Sequence, residues 1–539
     1  MRLPSLLFAA AVALPATLTN ALHVAIICSF GTRSDIAPIF EGLRDFAAEP
    51  GNKVSYVAAP GIATNHASQF SYIETTIVPN VILPAYFNNS AIADVMQTKQ
   101  RFDNTRVFLD AIGHISDIYE HNTRAYIEFF REQGAQYDLV MCDAVEQACM
   151  DAAKEMGQKL AIYGPLGQYG VGSDWFVPDF LDPMPMEQWI ASPWKRAKGF
   201  FDLIPFAIET VKASWKVQAA QKRLNLSVPY MDPWEFPQKN LMLAHHVLGI
   251  DPARNVPTNI QVFGPVVNED TIPPIEPELK DALDTFQAQG TRVIFIAFGS
   301  VLTLKDSPEL YQIMLDSISM LLADQERNLA VIWASAFHDP ARVAPIATKF
   351  PGRFLTPKWA NQRRALMHDV VQLAINHAGY GSITEALYNG KAQIMLPFVF
   401  DEFVNTANGE ASGISLSLDK YTMTSEEMTE KVTRLLDQTA DKNSSYAKNL
   451  QKWKTICRLN SEKGRVIVSN AVKIAASVGV DHLVPRDVNL SFFDRYDVLP
   501  VIAALLAISI LRRAMAGKKN TNMQPEAEPA TISGKSKQL

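Results

Sequence analysis

Residues 377–402 read HAGYGSITEALYNGKAQIMLPFVFDE; one apolar run typical of a β-strand, 371–375, precedes them, and a second, 394–396, lies within them. The segment opens with a histidine and a glycine turn, continues as a short helical stretch, and ends in an acidic pair. A glycine turn that leads into a helix presents free backbone N–H groups and the positive end of the helix dipole. The sequence therefore predicts a strand–loop–helix–loop–strand unit with an anion site at its first loop.

The polar side chains of this unit suit a nucleotide diphosphate that carries a sugar. Ser382 can donate a hydroxyl, and Glu385, one turn further into the helix, can accept two hydrogen bonds from a ribose. His377 can donate to a phosphate oxygen, and Asp401 and Glu402 can accept from sugar hydroxyls. A Gly-x-Gly turn alone is more often only a tight turn, so the hypothesis depends on the complete order of these residues.

Strand-like runs and helical stretches alternate in two series along the rest of the chain. The first series begins at residues 22–28 and the second at residues 292–298, and a segment rich in proline and acidic residues, 268–277, separates them. This alternation predicts parallel sheets covered by helices, with ligands bound at the carboxyl ends of the strands. At 539 residues the chain is too long for a single core, so we expect two domains.

Composition and charge exclude some classes of function. The net charge of −6 leaves no basic footprint for nucleic acid. No Asp-x-Asp sequence occurs, so we predict no metal-bridged diphosphate site. We also expect no cofactor. The helix N-terminus, His377 and Ser382 are then expected to hold the charge of a bound diphosphate.

The whole segment resembles the donor-binding signature of family 1 UDP-glycosyltransferases. That signature is kept at His377, Gly379, Ser382, Glu385, Ala386, Gly390, Pro397, Asp401 and Asn405. Upstream, residues 359–362 (WANQ) resemble the W-x-P-Q sequence of the family. The chain departs from the pattern at Ala378, Gly381, residues 391–392 and Glu402.

The resemblance implies an α/β GT-B fold, in which two Rossmann-like domains face each other across a cleft. It places the UDP-sugar against Ser300, Trp359, Gln362, His377, Gly379, Gly381, Ser382, Glu385, Asp401 and Glu402. It extends to the order of segments at the carboxyl end, which is that of the membrane-bound branch of the family.

Two acidic residues are candidates for catalysis. Residues 31–35 (GTRSD) resemble a loop of sterol and glycopeptide-antibiotic glycosyltransferases, in which the Asp, here Asp35, is the proposed base. Most relatives have a His there, oriented by an Asp at the position of Asp143. Asp35 could instead cap the next helix, and Asp143 could only bond backbone, although two close carboxylates would raise one pKa and make a better base.

Both ends of the chain read as targeting segments. We predict a signal peptide over residues 1–21, a transmembrane helix over 498–516 and a basic cytosolic tail over 517–539. Lys535 and Lys537 resemble a dilysine retrieval signal. The protein is then a single-pass type I protein of the endoplasmic reticulum membrane with a lumenal body. The predicted parts of that body are an acceptor-binding domain, a linker and a UDP-sugar-binding domain, residues 22–267, 268–290 and 291–490.

A lumenal body makes glycosylation relevant, and four sequons occur. They are Asn88, Asn225, Asn443 and Asn489. Four cysteines are too few for a disulfide framework, so we expect Cys28 and Cys142 to be buried thiols on core strands.

We therefore expect an inverting, metal-independent transferase that moves a hexose from a UDP-sugar, with UDP-glucose as the expected donor, to a hydroxyl of a small lipophilic acceptor. The acceptor could be a sterol, a lipid or a phenolic compound. Aromatic and basic residues over 189–215 form either a membrane-facing surface beside that acceptor or ordinary core. The alternative is a catalytically weak UDP-sugar-binding membrane protein or a subunit of a larger transferase, and a homo-oligomer stays open.

Overall fold

The structure is a computed structural model of the chain, and it divides into two compact units, Met1–Val484 and Pro485–Leu539. The residues that it describes are 21–28, 33–60, 67–83, 101–164, 186–231, 235–250, 253, 255–299, 302, 304–399, 401–490, 502–503, 505–510 and 512. The first unit holds two parallel sheets, and the described part of the second is a 3-10 turn, Arg486–Asn489, and helical residues between 502 and 512.

The first sheet has seven parallel strands in the order β3-β2-β1-β4-β5-β6-β7. Its strands are β1 (His23–Ile27), β2 (Lys53–Ala58), β3 (Ile73–Ile77), β4 (Leu139–Asp143), β5 (Leu160–Gly164), β6 (Leu241–His245) and β7 (Ile260–Phe263). The second sheet has six parallel strands in the order β10-β9-β8-β11-β12-β13. Its strands are β8 (Arg292–Ile296), β9 (Leu329–Trp333), β10 (Phe354–Leu355), β11 (Val371–Asn376), β12 (Ala392–Met395) and β13 (Ser415–Ser417).

Fifteen α-helices among the described residues cover the two sheets. They are α1 (Arg33–Gly42), α2 (Arg44–Ala48), α3 (Arg101–Gln133), α4 (Gln147–Glu155), α5 (Met186–Ala191), α6 (Pro193–Leu224), α7 (Phe236–Lys239), α8 (Pro277–Ala288), α9 (Pro308–Ala323), α10 (Pro340–Lys349), α11 (Gln362–Met367), α12 (Tyr380–Tyr388), α13 (Glu402–Ala411), α14 (Ser425–Ala440) and α15 (Ser445–Val478).

The central strands are near-continuous apolar runs because helices cover both faces of each sheet. HVAII in β1 and RVIFI in β8 are buried from their second residue onward. In the first sheet the order 3-2-1-4-5-6 is that of a Rossmann-type doubly wound sheet, which reverses direction beside β1 and leaves a ligand crevice at the carboxyl ends of the strands. The predicted parallel α/β architecture is confirmed.

Helix α15 runs from one sheet to the other. Trp453 and Cys457 in its first half belong to the core of the second sheet, whereas Val468 and Val472 in its second half belong to the core of the first. At the crossing with α1, a Cβ atom on Gly42 would lie 2.9 Å from the Val468 Cγ2 atom, so the close approach of the two helices requires glycine.

The prediction of a buried thiol is wrong for Cys142, which forms a disulfide with Cys149 across a Cα–Cα distance of 6.0 Å. Cys142 lies near the end of β4, and the first turn of α4 brings Cys149 back over that strand. Spacing along the chain does not reveal this return. Cys28 is a buried thiol, as predicted.

The targeting segments fall largely outside the described residues, and Asn88 lies outside them as well. Over the part of the chain that the structure describes, no helix is both long enough and apolar enough to cross a membrane. Asn225 ends α6 in a left-handed conformation, Asn443 lies in an exposed turn, and the backbone of Asn489 belongs to a 3-10 turn.

Candidate nucleotide-sugar site

The loop after β11 begins the site. Its Ala378, where the family has glycine, takes a φ of 63°, a conformation that is costly for a residue with a Cβ atom. The Asn376 Oδ1 atom accepts from the Ala378 N–H at 2.8 Å, and the Asn405 Nδ2 atom donates to the Ala378 carbonyl at 3.0 Å. These two side chains hold the glycine-like turn in spite of the substitution.

His377 packs between two glycine backbones. A Cβ atom on Gly299 would lie 3.2 Å from its Cε1 atom, and one on Gly379 would overlap its ring. Burial lowers the pKa of His377 to about 4, so the ring is neutral at pH 7 and can donate a hydrogen bond without being a cation. Its buried Nδ1 atom has no hydrogen-bond partner within the described chain.

Helix α12 begins at the glycine turn, with Gly379 as its N-cap and Gly381 in its first turn. The Gln362 Nε2 atom, from α11, donates to the Ser382 Oγ atom at 3.2 Å and to the Glu385 Oε2 atom at 2.8 Å. Three residues predicted to bind UDP-sugar, from two separate segments, therefore lie together at the N-terminus of α12, where backbone N–H groups and the helix dipole favour an anion.

Sequence reasoning missed Arg363. Its Nε atom donates to the Glu385 Oε1 atom at 2.6 Å, and its Nη1 atom donates to Glu41 on α1. Burial alone would lower the pKa of Arg363, but the carboxylates of Glu41 and Glu385 raise it, so the guanidinium stays charged. The position of Arg363 next to Gln362 was the signal that the sequence offered. Its partner Glu41 lies 322 positions away, so the sequence does not show the pairing.

The acidic pair is held by its own segment. The Glu402 Oε2 atom accepts from the backbone N–H groups of Phe398 and Val399, at 2.7 and 2.9 Å. Its Oε1 atom lies 3.9 Å from the His377 Nε2 atom. The Asp401 Oδ2 atom accepts from the Asn405 side chain at 2.7 Å.

Burial raises the pKa of Glu402 well above its usual range, although the two backbone N–H groups oppose the shift. A carboxylate at this position would place a charge near the sugar, but burial favours the neutral form of Glu402. Because His377 is neutral at pH 7, its contact with Glu402 is not an ion pair.

Trp359 and Asn361 lie just before α11, where the resemblance places the nucleotide base. The Trp359 ring is 59% exposed and can be covered by a stacked base. Asn361, at the position of the family proline, caps α11 by accepting from the Arg364 N–H and donates to the Pro273 carbonyl at 2.9 Å. Ser300 lies outside the described residues.

The two candidate catalytic residues lie at the first sheet. Asp35 is the third residue of α1, and its side chain lies outside the described part. Asp143 ends β4 and is buried, with its Oδ1 atom accepting from the Val145 N–H at 3.0 Å and its Oδ2 atom from the Cys28 thiol at 3.4 Å. The structure therefore shows the backbone bond of Asp143, and the pairing of its carboxylate with Asp35 stays a prediction.

Tyr380, the first residue of α12, contacts residues that follow β6 of the first sheet. Its hydroxyl accepts from the Val247 N–H at 2.7 Å, and its ring stacks on His246 at a centroid distance of 4.3 Å. His245, the last residue of β6, and His246, which follows it, are both buried. Among the described residues, no cluster of histidine, cysteine and acidic side chains could hold a metal ion.

Comparison with known proteins agrees with this geometry. A model of the family described as "UDP-glucoronosyl and UDP-glucosyl transferase" matches residues 231–524. A UDP-glycosyltransferase of Talaromyces amestolkiae is 22% identical over 533 residues, which is 90% of this chain and 96% of the relative.

Solved structures show the same fold. The glycotransferase of kitacinnamycin has a TM-score of 0.58 and 16% identity, over 84% of this chain and 99% of that one. UDP-glucose: anthocyanidin 3-O-glucosyltransferase in complex with UDP has a TM-score of 0.54 and 14% identity, over 84% and 99%. The predicted GT-B fold of two Rossmann-like domains is confirmed, and with the family match over more than half of its length the chain belongs to the UDP-glucoronosyl and UDP-glucosyl transferase family and is a UDP-sugar-dependent glycosyltransferase.

Proposed function

We propose that the protein transfers a hexose, with inversion and without a metal ion, from a UDP-sugar to a hydroxyl of a small lipophilic acceptor. The observation that carries the proposal is the meeting of Gln362, Ser382 and Glu385 at the N-terminus of α12. This arrangement offers hydroxyl and backbone donors to a diphosphate and a carboxylate to a ribose, beside an exposed Trp359 ring.

In the proposed reaction the acceptor oxygen attacks the anomeric carbon in line. The new carbon–oxygen bond forms as the bond to the UDP oxygen breaks, and the acceptor proton passes to the Asp35 carboxylate. The N–H groups of α12, the Ser382 hydroxyl and a neutral His377 would stabilise the charge that develops on UDP. Asp35 is suited to this role because α1 follows β1, at the carboxyl edge of the first sheet.

A neutral hexose, with UDP-glucose as the first candidate, is the favoured donor. Glu402 is buried beside His377, where its carboxyl group can exchange hydrogen bonds with the hydroxyls of a neutral sugar.

The acceptor and the location of the protein belong to the same proposal. Helix α6 exposes Trp194, Ile208 and Trp215, which are separated by multiples of seven residues, whereas Val217 and Ala220 on another face are buried. An apolar stripe on a 32-residue helix suits the surface of a membrane, where a lipophilic acceptor concentrates. The Cys142–Cys149 disulfide suits an oxidising compartment, in line with the predicted lumenal body and the predicted membrane span over 498–516.

Transfer by the full chain in detergent, with a panel of UDP-hexoses and UDP-glucuronic acid and a mixed sterol, lipid and phenol pool, tests the proposal. We expect an acceptor mass gain of one hexose, a product of inverted anomeric configuration by NMR, and full activity in chelator. Asp35→Asn should lower kcat by about 10²–10⁴-fold and leave UDP affinity unchanged.

Asp45→Asn, which changes a half-exposed carboxylate on the neighbouring helix α2, is the matched control and should keep full activity. Tight UDP binding without any product would contradict the enzyme and support the alternative of a catalytically weak binding protein or a subunit. Unchanged turnover in Asp35→Asn would refute the assigned base.

A further inference from the structure

Arg363 joins two carboxylates from different parts of the fold. It follows Gln362 at the start of α11, and its guanidinium reaches Glu385 on α12 through Nε and Glu41 on α1 through Nη1. Its side chain is 20% exposed, that of Glu385 17% and that of Glu41 2%. Charge-assisted bonds in such a shielded place have stricter geometry and greater strength than surface pairs.

Both oxygens of Glu385 are oriented by α11. Gln362 donates to Oε2 at 2.8 Å and Arg363 donates to Oε1 at 2.6 Å, so the carboxylate plane cannot rotate without the loss of one bond. Each carboxylate oxygen has a second lone pair, which leaves two acceptor positions for the two hydroxyls of a ribose.

Glu41 in turn is anchored from the other side. Its Oε2 atom accepts from the Asn268 N–H at 3.3 Å, and the Asn268 side chain donates to the Glu41 carbonyl at the same distance. The Asn268 Oδ1 atom accepts from Arg465 on α15 at 2.6 Å. The guanidinium of Arg363 is therefore held at both ends, by a buried carboxylate that is itself fixed and by the carboxylate at the nucleotide site.

We propose that Arg363 is a positioning residue for the nucleotide: anchored by Glu41, it holds the Glu385 carboxylate in the orientation that accepts the ribose hydroxyls. The inference rests on the proposed UDP-sugar site and adds a residue and an anchor to it. Glu41 lies six residues after Asp35 on α1, so the helix that carries the proposed base also supports the ribose site.

The test is calorimetric binding of UDP and of 2′-deoxy-UDP to the full chain in detergent, which needs no acceptor. The wild type should bind UDP at least tenfold more tightly than 2′-deoxy-UDP, because Glu385 loses a donor in the deoxy compound. Arg363→Gln should reduce that ratio to threefold or less, mainly through weaker UDP binding. Glu41→Gln should reduce it partly, because Arg363 keeps Glu385 but loses its anchor.

A double-mutant cycle separates positioning from general structure. If Arg363 acts through Glu385, the ratio of UDP to 2′-deoxy-UDP affinity should be no lower in the double variant Arg363→Gln/Glu385→Gln than in Glu385→Gln alone. Arg364→Gln is the matched control: the adjacent guanidinium bonds the carbonyls of Ile272 and Pro273, and its loss should leave the ratio as in the wild type.

Arg363→Gln leaves Glu41 buried without its cation, so Arg363→Gln/Glu41→Gln provides a charge-balanced variant if the single one fails to fold. The inference is overturned if Arg363→Gln or Arg363→Gln/Glu41→Gln keeps the wild-type ratio of UDP to 2′-deoxy-UDP affinity, or weakens the binding of both nucleotides equally. The proposed function would then still stand. If the wild type binds neither nucleotide, the proposed function fails, and the inference fails with it.

Discussion

Glu402 shows how burial changes the chemistry of one residue in the signature. The family's glutamine is replaced by a carboxyl group that accepts two backbone N–H bonds and is almost fully enclosed. Because burial raises the pKa of Glu402 well above its usual range, the folded protein holds a proton that the unfolded chain releases near pH 4.3. The stability that Glu402 contributes is therefore full below that pH and is lost as pH rises through the folded pKa.

Glu402→Gln should remove this pH dependence while it keeps an acceptor for the N–H groups of Phe398 and Val399. In urea unfolding between pH 5 and 8, the free energy of unfolding of the variant should rise relative to that of the wild type as pH rises, by at most about 1.4 kcal/mol per pH unit. His377, whose lowered pKa acts in the opposite direction, is common to both proteins.

Glu430→Gln, at an exposed position on α14, is the control and should give a curve parallel to that of the wild type. Parallel curves for Glu402→Gln as well would contradict the neutral carboxyl group.

At the residue scale, the order of the signature was enough to predict that Gln362, Ser382 and Glu385 belong to one site. Arg363 could not be predicted, because its role comes from Glu41 in the other sheet's domain, a pairing that only tertiary structure creates. Cys142 was mispredicted for a related reason, since only the turn of α4 brings Cys149 over β4.

At the element scale, α6 combines two faces. Val217 and Ala220 are buried, and Lys216 bonds Asp117 on α3 at 2.7 Å, so one side of α6 is attached to the first domain. Trp194 and Trp215 are 85% and 67% exposed. The sequence left this region open between core and membrane surface, because aromatic content alone does not say which face is covered.

Substitution of this exposed stripe should weaken binding to lipid. The double substitution Trp194→Ser/Trp215→Ser is made in residues 22–490, and binding is measured by co-sedimentation with phosphatidylcholine vesicles containing 30% phosphatidylserine. Binding should fall by at least about tenfold, because the loss of each indole removes a large apolar area. Leu459→Ser, an exposed apolar position on α15, is the control and should bind as the wild type does. Equal sedimentation of all three proteins would contradict a membrane role for α6.

The disulfide between β4 and α4 is the basis of a second prediction at the element scale. Cys149→Ser opens a short covalent loop of seven-residue separation and should lower the free energy of unfolding by roughly 2–3 kcal/mol. Reductant should lower the unfolding midpoint of the wild type to that of the variant and leave the variant unchanged. A variant that responds to reductant as strongly as the wild type would contradict the assigned pair.

At the scale of the whole molecule, α15 ties the two domains into one unit. The chain enters α15 from the second sheet, yet Val468, Val472 and Ala475 complete the core of the first. The predicted boundary of the second domain at residue 490 followed the order of the chain and could not show that this half-helix packs elsewhere. Sequence periodicity predicts which face of a helix is apolar, but the sheet that it covers depends on the path of the chain.

Val468→Ala should therefore destabilise the first domain from a helix that begins in the second. Val468 is fully buried against Gly42, and its truncation leaves a cavity between α1 and α15 that should lower the free energy of unfolding by about 2 kcal/mol. Val466→Ala, two residues away and 53% exposed, should change it by less than about 0.5 kcal/mol. Hydrogen exchange should place the loss of protection from Val468→Ala in β1 and α1 as well as in α15. If exchange rises only in α15, the helix is an appendage of the first domain rather than part of its core.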